Sequence, residues 1–258
     1  MLTGSNFMFI LLAYTTATIL YRIYVARQGT LPPIRRIAGL DAIEEAVGRA
    51  TELGRPVLFT PGRGGLLDNF AAQTLAGLEI MGFVARTVAK YDAKLIVTIG
   101  NQQVLPLAEQ VARESYLAEG RPDAYNDEIV RFLSPAQWAY AAATLGIMHR
   151  ERVASTIMVG AFWAESLMLA EGGAQVGAVQ IAGTARLYQI PFFVAACDYV
   201  LIGEEMFAGG AYLGRDPVKM GSLAGQDLSK LLAIIAILVG AVLATANNEV
   251  LKNLFLES

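Results

Sequence analysis

Pro56-Val57-Leu58-Phe59-Thr60-Pro61-Gly62-Arg63-Gly64-Gly65 is the stretch on which the fold turns. Residues 56–60 form a short apolar run with no polar alternation, which reads as a buried strand, and the proline–glycine cluster behind it reads as a tight turn. An amphipathic helix follows from near Asp68 to Lys90. A second strand over residues 94–99 ends at Gly100-Asn101-Gln102-Gln103, and another helix runs to about Leu117. Upstream, Leu40-Asp41-Ala42-Ile43-Glu44-Glu45-Ala46-Val47 carries apolar residues at helical spacing, with Gly54 as the stop.

Downstream the alternation continues. After a polar loop over residues 120–126, residues 131–133 read as a short strand. Ser134-Pro135 reads as a helix start, a capping hydroxyl followed by proline, for a helix reaching His149. Residues 155–159 read as a strand ending at Gly160, followed by a helix through Glu165 and Leu169. A second, small-residue helix is expected over residues 174–185, and a strand over residues 191–202 that ends in Gly203-Glu204-Glu205. Strands apolar on both faces that alternate with helices imply a mainly parallel sheet covered on both sides. The expected fold is a Rossmann-like three-layer α/β domain, with the strand order left open.

Apolar segments flank this domain. One runs from about Phe7 to Tyr21 and the other from Leu231 to Ala246, each slightly short of the ~20 residues that cross a bilayer. Both extend through tolerable neighbours, so each is expected to span. The expected organisation is an N-terminal anchor over residues 1–27, an α/β domain over 28–225, and a C-terminal helix with a short tail over 226–258. Hydrophobic residues make up 55% of the 258 and charged residues 17%, which suits an anchored domain better than a freely soluble one. The alternative for the second segment is a buried core helix.

Charge sets the orientation. Residues 1–6 carry no charged side chain, whereas Arg22, Arg27, Arg35 and Arg36 follow the first segment. Arg215, Lys219 and Lys230 precede the second, and only Lys252 follows it among Glu249 and Glu257. The positive-inside rule places the middle domain in the cytoplasm and both ends outside the cell membrane. The same asymmetry argues against a cleaved signal peptide. Tyr14, Thr15, Thr16 and Thr18 on one segment and Gly240, Ala241, Ala244 and Thr245 on the other suit helix packing, either on each other or between subunits.

A net charge of −3 argues against nucleic acid as a partner. The single cysteine, Cys197, excludes an internal disulfide, and with His149 the only histidine a Cys/His zinc site is excluded too. Cys197 is expected in the core and His149 at a helix end. No cofactor or metal is expected.

Four expected strands end in glycine: Gly62, Gly100, Gly160 and Gly203. Ligands of open parallel sheets sit at the carboxyl ends of the strands. The candidate crevice gathers Thr60, Gly62, Arg63, Gly64, Gly65, Asn101, Gln102, Glu165, Glu204 and Glu205. Backbone N–H groups of the 61–65 loop and the Arg63 guanidinium suit an anion, although the loop matches neither G-x-x-x-x-G-K-[ST] nor G-x-G-x-x-G. Glu204 and Glu205 suit acid/base work or a hard cation, with helix capping or ion pairing as the plainer role. Adjacent residues on an extended chain face opposite ways, so at most one of them enters a crevice. No catalytic residue is assigned.

Ile37-Ala38-Gly39-Leu40-Asp41-Ala42-Ile43-Glu44-Glu45-Ala46-Val47-Gly48-Arg49-Ala50-Thr51-Glu52-Leu53-Gly54-Arg55-Pro56 resembles an uncharacterised family of bacterial and archaeal membrane proteins. Ile202-Gly203-Glu204-Glu205 and Gly210-Ala211-Tyr212-Leu213 extend the resemblance. It implies a membrane-associated domain of unknown function and brings no catalytic residues with it.

Small apolar runs at residues 172–183 and 206–213 exceed what one core obviously needs, which leaves core burial or a subunit interface. The leading expectation is a non-enzymatic membrane subunit assembling with copies of itself or related subunits. A domain that binds or processes a phosphorylated or nucleotide ligand at the crevice is the alternative. A transport subunit is weaker, because neither anchor carries an ionisable residue at its centre.

Overall fold

The apolar run around Phe59 forms β1, Val57–Gly62, buried throughout its length. β2 (Leu95–Ile99), β3 (Val130–Phe132), β4 (Ser155–Ala161), β5 (Val179–Thr184) and β6 (Tyr199–Ile202) complete a six-stranded sheet. The structure, a computed structural model, describes residues 3–30, 32, 35–214 and 216–245. Arg215 and the expected external tail beyond residue 245 lie outside the described residues.

Every neighbouring strand pair is parallel, and the order is β3-β2-β1-β4-β5-β6. The helices are α1 (Thr3–Arg27), α2 (Ala38–Leu53), α3 (Ala71–Tyr91), α4 (Leu105–Ala118), α5 (Gln137–Glu151), α6 (Glu165–Gln175), α7 (Ile190–Ala196), α8 (Glu204–Gly214) and α9 (Pro217–Thr245). Successive residues of β1 serve two cores. Val57 and Phe59 pack with Ile43 of α2, Val84 of α3, Ala108 of α4 and Met206 of α8. Leu58 packs on the other face with Ile147 of α5, Leu169 of α6 and Phe193 of α7. Both faces of the strand are therefore dry, which is why its sequence shows no alternation. The three-layer α/β architecture with a parallel sheet is the observed one.

Local signals place most boundaries. Gly54 caps α2 in the left-handed region (φ 61°), and its N–H reaches the carbonyls of Ala50 and Thr51. Three elements differ from expectation. Residues 179–184 form β5 rather than the end of a helix: α6 stops at Gln175, Gly177 turns the chain, and the segment pairs with β4 and β6. Small residues there serve close packing, since a Cβ on Gly183 would lie 3.0 Å from Leu201. Ile190–Ala196 is helical, with Pro191 in its first turn where the missing N–H is harmless, so the last strand shrinks to Tyr199–Ile202. Cys197 follows α7 instead of lying inside a strand, and it is half-buried. Finally, α5 begins at Gln137, because the Ser134 hydroxyl accepts the Ala136 N–H (3.2 Å) in a turn ahead of the helix.

Burial also sets how the domain responds to alkali. It pushes the Tyr116 phenol from an ordinary 10.0, and the Cys197 thiol from 9.0, up to about 12. It raises Tyr125 and Tyr140 as well. These groups stay neutral in the fold at pH values where the unfolded chain already ionises. Their contribution is complete below the unfolded values and is lost as pH rises toward the folded ones. The urea midpoint is expected to fall progressively above about pH 9, with Tyr116 alone costing on the order of 2 kcal/mol by pH 12. The tyrosinate absorbance contributed by Tyr116, Tyr125 and Tyr140 should rise together with unfolding; free titration of all three near pH 10 in the intact fold would contradict this.

The chain divides into two compact units. One is the α/β domain, residues 35–214; the other comprises residues 1–34 and 215–258. The boundary expected at 225 therefore falls inside α9, which already begins at Pro217. In the second unit α1 and α9 pack together. Gly221 and Gly225 lie against the backbone of Ile23 and Ile19, and the Thr18 and Ser229 hydroxyls meet at 3.2 Å. Of the hydroxyl residues expected to mediate packing, Thr15 and Thr245 instead bond to carbonyls of their own helices. Residues 9–27 and 217–242 are long and apolar enough to cross a membrane, and only 6% of each is buried within the protein. The second segment is thus not a core helix.

Candidate functional site

Strand order reverses between β1 and β4. From β1 the chain proceeds through α3 to β2 and through α4 to β3, then crosses by α5 to β4 and builds outward in the other direction. Loops leaving the carboxyl ends of β1 and β4 consequently run to opposite faces, and the position between them is where an open parallel sheet takes its ligand.

Its floor is a chain of buried hydroxyls. Thr60 of β1 meets the Tyr140 phenol at 2.5 Å, and that phenol meets the Thr98 hydroxyl of β2 at 3.1 Å. The Gly62 N–H donates to Thr60 Oγ1 (3.1 Å). Burial, the dominant effect, raises the Tyr140 phenol, so it stays protonated and able to donate.

The 61–65 loop is not an open anion cradle. The Arg63 N–H is taken by the Ala161 carbonyl (2.9 Å). The Gly65 and Phe70 N–H groups both donate to the carboxylate of Asp68, at 2.8 and 2.9 Å. The chain's own aspartate thus occupies the place that a phosphate would need. Helix α3 starts only at Ala71, beyond this turn. Gly64 and Gly65 are there for space: a Cβ on either would press on Thr74 or on Asn101 and Asp68.

Side chains, not backbone, line the opening. The Arg63 side chain passes over Gly100 and donates from Nη2 to the Pro135 carbonyl (2.7 Å). Its Cζ stands 5.7 Å from the Trp163 ring centroid. Arg186, just past β5, lies closer, with Cζ 4.4 Å from Trp163 and 4.7 Å from Phe70. Phe70 and Trp163 meet edge to face at 5.0 Å. Among the described residues, Arg63 Nε and Arg186 Nη1 are buried with no acceptor. Glu165, fully buried at the start of α6, accepts the Trp163 N–H (3.1 Å) and the Gln137 amide (2.7 Å).

Thr60, Gly62, Arg63, Gly64, Gly65, Asn101 and Glu165 are therefore gathered around the carboxyl ends of β1, β2 and β4. Asn101 accepts the Gln103 N–H (3.1 Å), and Gln102 is exposed in the adjoining turn. Glu204 and Glu205 are not brought there. They open α8 beyond β6 at the sheet edge, where Glu205 pairs with Arg35 (2.6 Å) and accepts the Ile202 N–H (3.1 Å). The small-residue runs also find a use inside the domain: Gly172 lies on Leu145, Gly173 on Gln180 and Gly209 on Ile80.

The sequence alone does not single out Arg186, Trp163, Phe70 and Tyr140. Arg186 was hidden by the helix expected over 174–185; read as a strand end, Thr184-Ala185-Arg186 would have joined the other carboxyl-end loops. The aromatic residues lie in loops and helices that no spacing links to β1.

No curated protein and no solved structure matches the chain. The family model for a domain of unknown function, DUF6754, matches residues 3–255, and the chain belongs to that family.

Proposed function

We propose that this chain is a membrane-tethered binding protein whose α/β domain, on the cytoplasmic side, holds a small ligand in the crevice between β1 and β4. The observation that carries it is the convergence of Arg63, Arg186, Phe70 and Trp163 at the point of strand-order reversal, with two guanidinium nitrogens lacking an acceptor. Binding is favoured over catalysis because Glu165 is fully buried and engaged by Trp163 and Gln137. Arg22, Arg27, Arg35 and Arg36 after the first span support the cytoplasmic placement.

The test uses the full chain in mild detergent. Native mass spectrometry should show a small molecule carried through purification or taken up from a metabolite extract, and adding Trp163→Ala should abolish that uptake. Uptake unchanged in the variant would refute the site. In intact cells, with Cys197→Ser as background, a membrane-impermeant maleimide should label Asn247→Cys but not Arg49→Cys; the reverse pattern would invert the orientation.

A second role, assembly of copies in the membrane plane, is favoured by Val194, Ile202 and Phe207, all exposed near β6. Among the described residues that strand pairs with β5 alone. Size measurement in mild detergent tests it, and a clean monomer would sink it.

A further inference from the structure

Resting on the crevice assignment above, we propose that the bound ligand presents a single phosphate group, gripped by Arg186 and Arg63 beside Trp163, and that this group takes the place of the Pro135 carbonyl on Arg63. Three observations converge on it.

The first is unmet donor capacity. A guanidinium offers five N–H donors in a fixed plane and remains charged at any accessible pH. Arg186 Nη1 and Arg63 Nε are both withdrawn from solvent with nothing to receive them. Among the described residues neither arginine has a carboxylate within 4.0 Å, although Arg35, Arg36, Arg113, Arg121 and Arg150 all do. Both cations at the crevice thus keep donor capacity for a ligand.

The second is preorganisation. Phe70 and Trp163, 4.7 and 4.4 Å from the Arg186 Cζ, restrain the guanidinium where it stands. A guanidinium held in place suits the paired oxygens of a phosphate. Arg63 approaches the same indole and is held only by one backbone carbonyl, an uncharged acceptor that an oxyanion outcompetes.

The third is a limit on ligand charge. A polyphosphate needs a run of backbone N–H donors, but those of Arg63, Gly65 and Phe70 are already engaged, the last two by Asp68. The nearby carboxylates of Asp68 and Glu165 oppose further negative charge. Two arginines match one phosphate monoester dianion. Beside Arg186 the next residues are Leu187 and Tyr188, 76% and 81% exposed, so the neighbouring surface is apolar rather than built for sugar hydroxyls. A phosphate of this kind comes either from a soluble ester or from a lipid headgroup.

The experiment reads Trp163 fluorescence of the full chain with Trp138→Phe, which leaves one tryptophan. Protein in neutral phosphatidylcholine nanodiscs is titrated with inorganic phosphate and with phenyl phosphate, against chloride at matched ionic strength. A parallel series uses nanodiscs containing phosphatidic acid. The expected result is a saturable change with a phosphate probe and none with chloride. It should be weakened at least tenfold by Arg186→Gln and by Arg63→Gln, and not restored by Arg186→Lys, which keeps the charge but loses the fork. A response to soluble probes assigns a soluble ester; one confined to phosphatidic acid assigns a lipid headgroup. Circular dichroism and melting of each variant show that it is folded, and Arg63→Gln, away from the Phe70–Arg186 stack, supplies the reading if Arg186→Gln is not. No saturable response to any phosphate, or undiminished response in a folded arginine variant, overturns the proposal. If a neutral molecule from an extract alone occupies the crevice, the crevice stands and the phosphate assignment falls.

Discussion

Replacing Gly62 with alanine is expected to destabilise the α/β domain by about 3–4 kcal/mol, the sum of left-handed strain and overpacking. Gly62 closes β1 at φ 78°, and a Cβ there would drive into the carbonyl of Ala161 on β4. The register between these strands shifts between Thr60 and Gly62, and the Arg63 N–H then bonds the Ala161 carbonyl. Gly160 makes the reciprocal approach, its missing Cβ leaving room for the Pro61 carbonyl. The two glycines let the central strands stay close at the point where the crevice opens. Gly48→Ala provides the contrast. That glycine is inside α2 with open space around it, so alanine there should stabilise by roughly 0.5–1 kcal/mol. Urea unfolding of the full chain in detergent measures both. Gly62→Ala behaving like Gly48→Ala would show that close strand approach is not what the glycine provides.

Substituting leucine at Gly225 is expected to separate α1 from α9, at a cost of roughly 1–3 kcal/mol from overpacking. A Cβ at Gly225 would lie 2.6 Å from the Ile19 Cα, and one at Gly221 2.6 Å from the Ile23 Cα. With Ser229 these residues form a ridge at four-residue spacing, the small-residue pattern that lets helix backbones approach in lipid. Thr18→Cys and Ser229→Cys, introduced with Cys197→Ser, should form a disulfide on mild oxidation, because the native hydroxyls are 3.2 Å apart. Adding Gly225→Leu should abolish that cross-link, while Val239→Leu on an exposed face should leave it intact. A cross-link that persists with Gly225→Leu would mean the glycine ridge does not govern the pairing.

Legibility in the sequence followed the range of the forces involved. α2 was readable because its apolar spacing and its Gly54 cap are local, and β1 and β2 because burial on both faces leaves short uninterrupted apolar runs. β5 was not: Val179-Gln180-Ile181-Ala182-Gly183-Thr184 owes its extended form to pairing with β4 and β6, and its small residues imitate helical spacing. The same small-residue pattern masks the strand end that carries Arg186. The glycine loop after β1 was visible, but its filling by Asp68 was not, since that depends on how the turn closes before α3.

By itself the sequence determined a parallel α/β domain between two apolar helices, because strand burial, helix periodicity and segment length are written in neighbouring residues. Only the tertiary structure decided the order β3-β2-β1-β4-β5-β6 and the meeting of Arg63 and Arg186 around Trp163. Those rest on pairing and packing between residues scores of positions apart, where side-chain shape and the burial of helix faces select one arrangement among many that share the same local pattern.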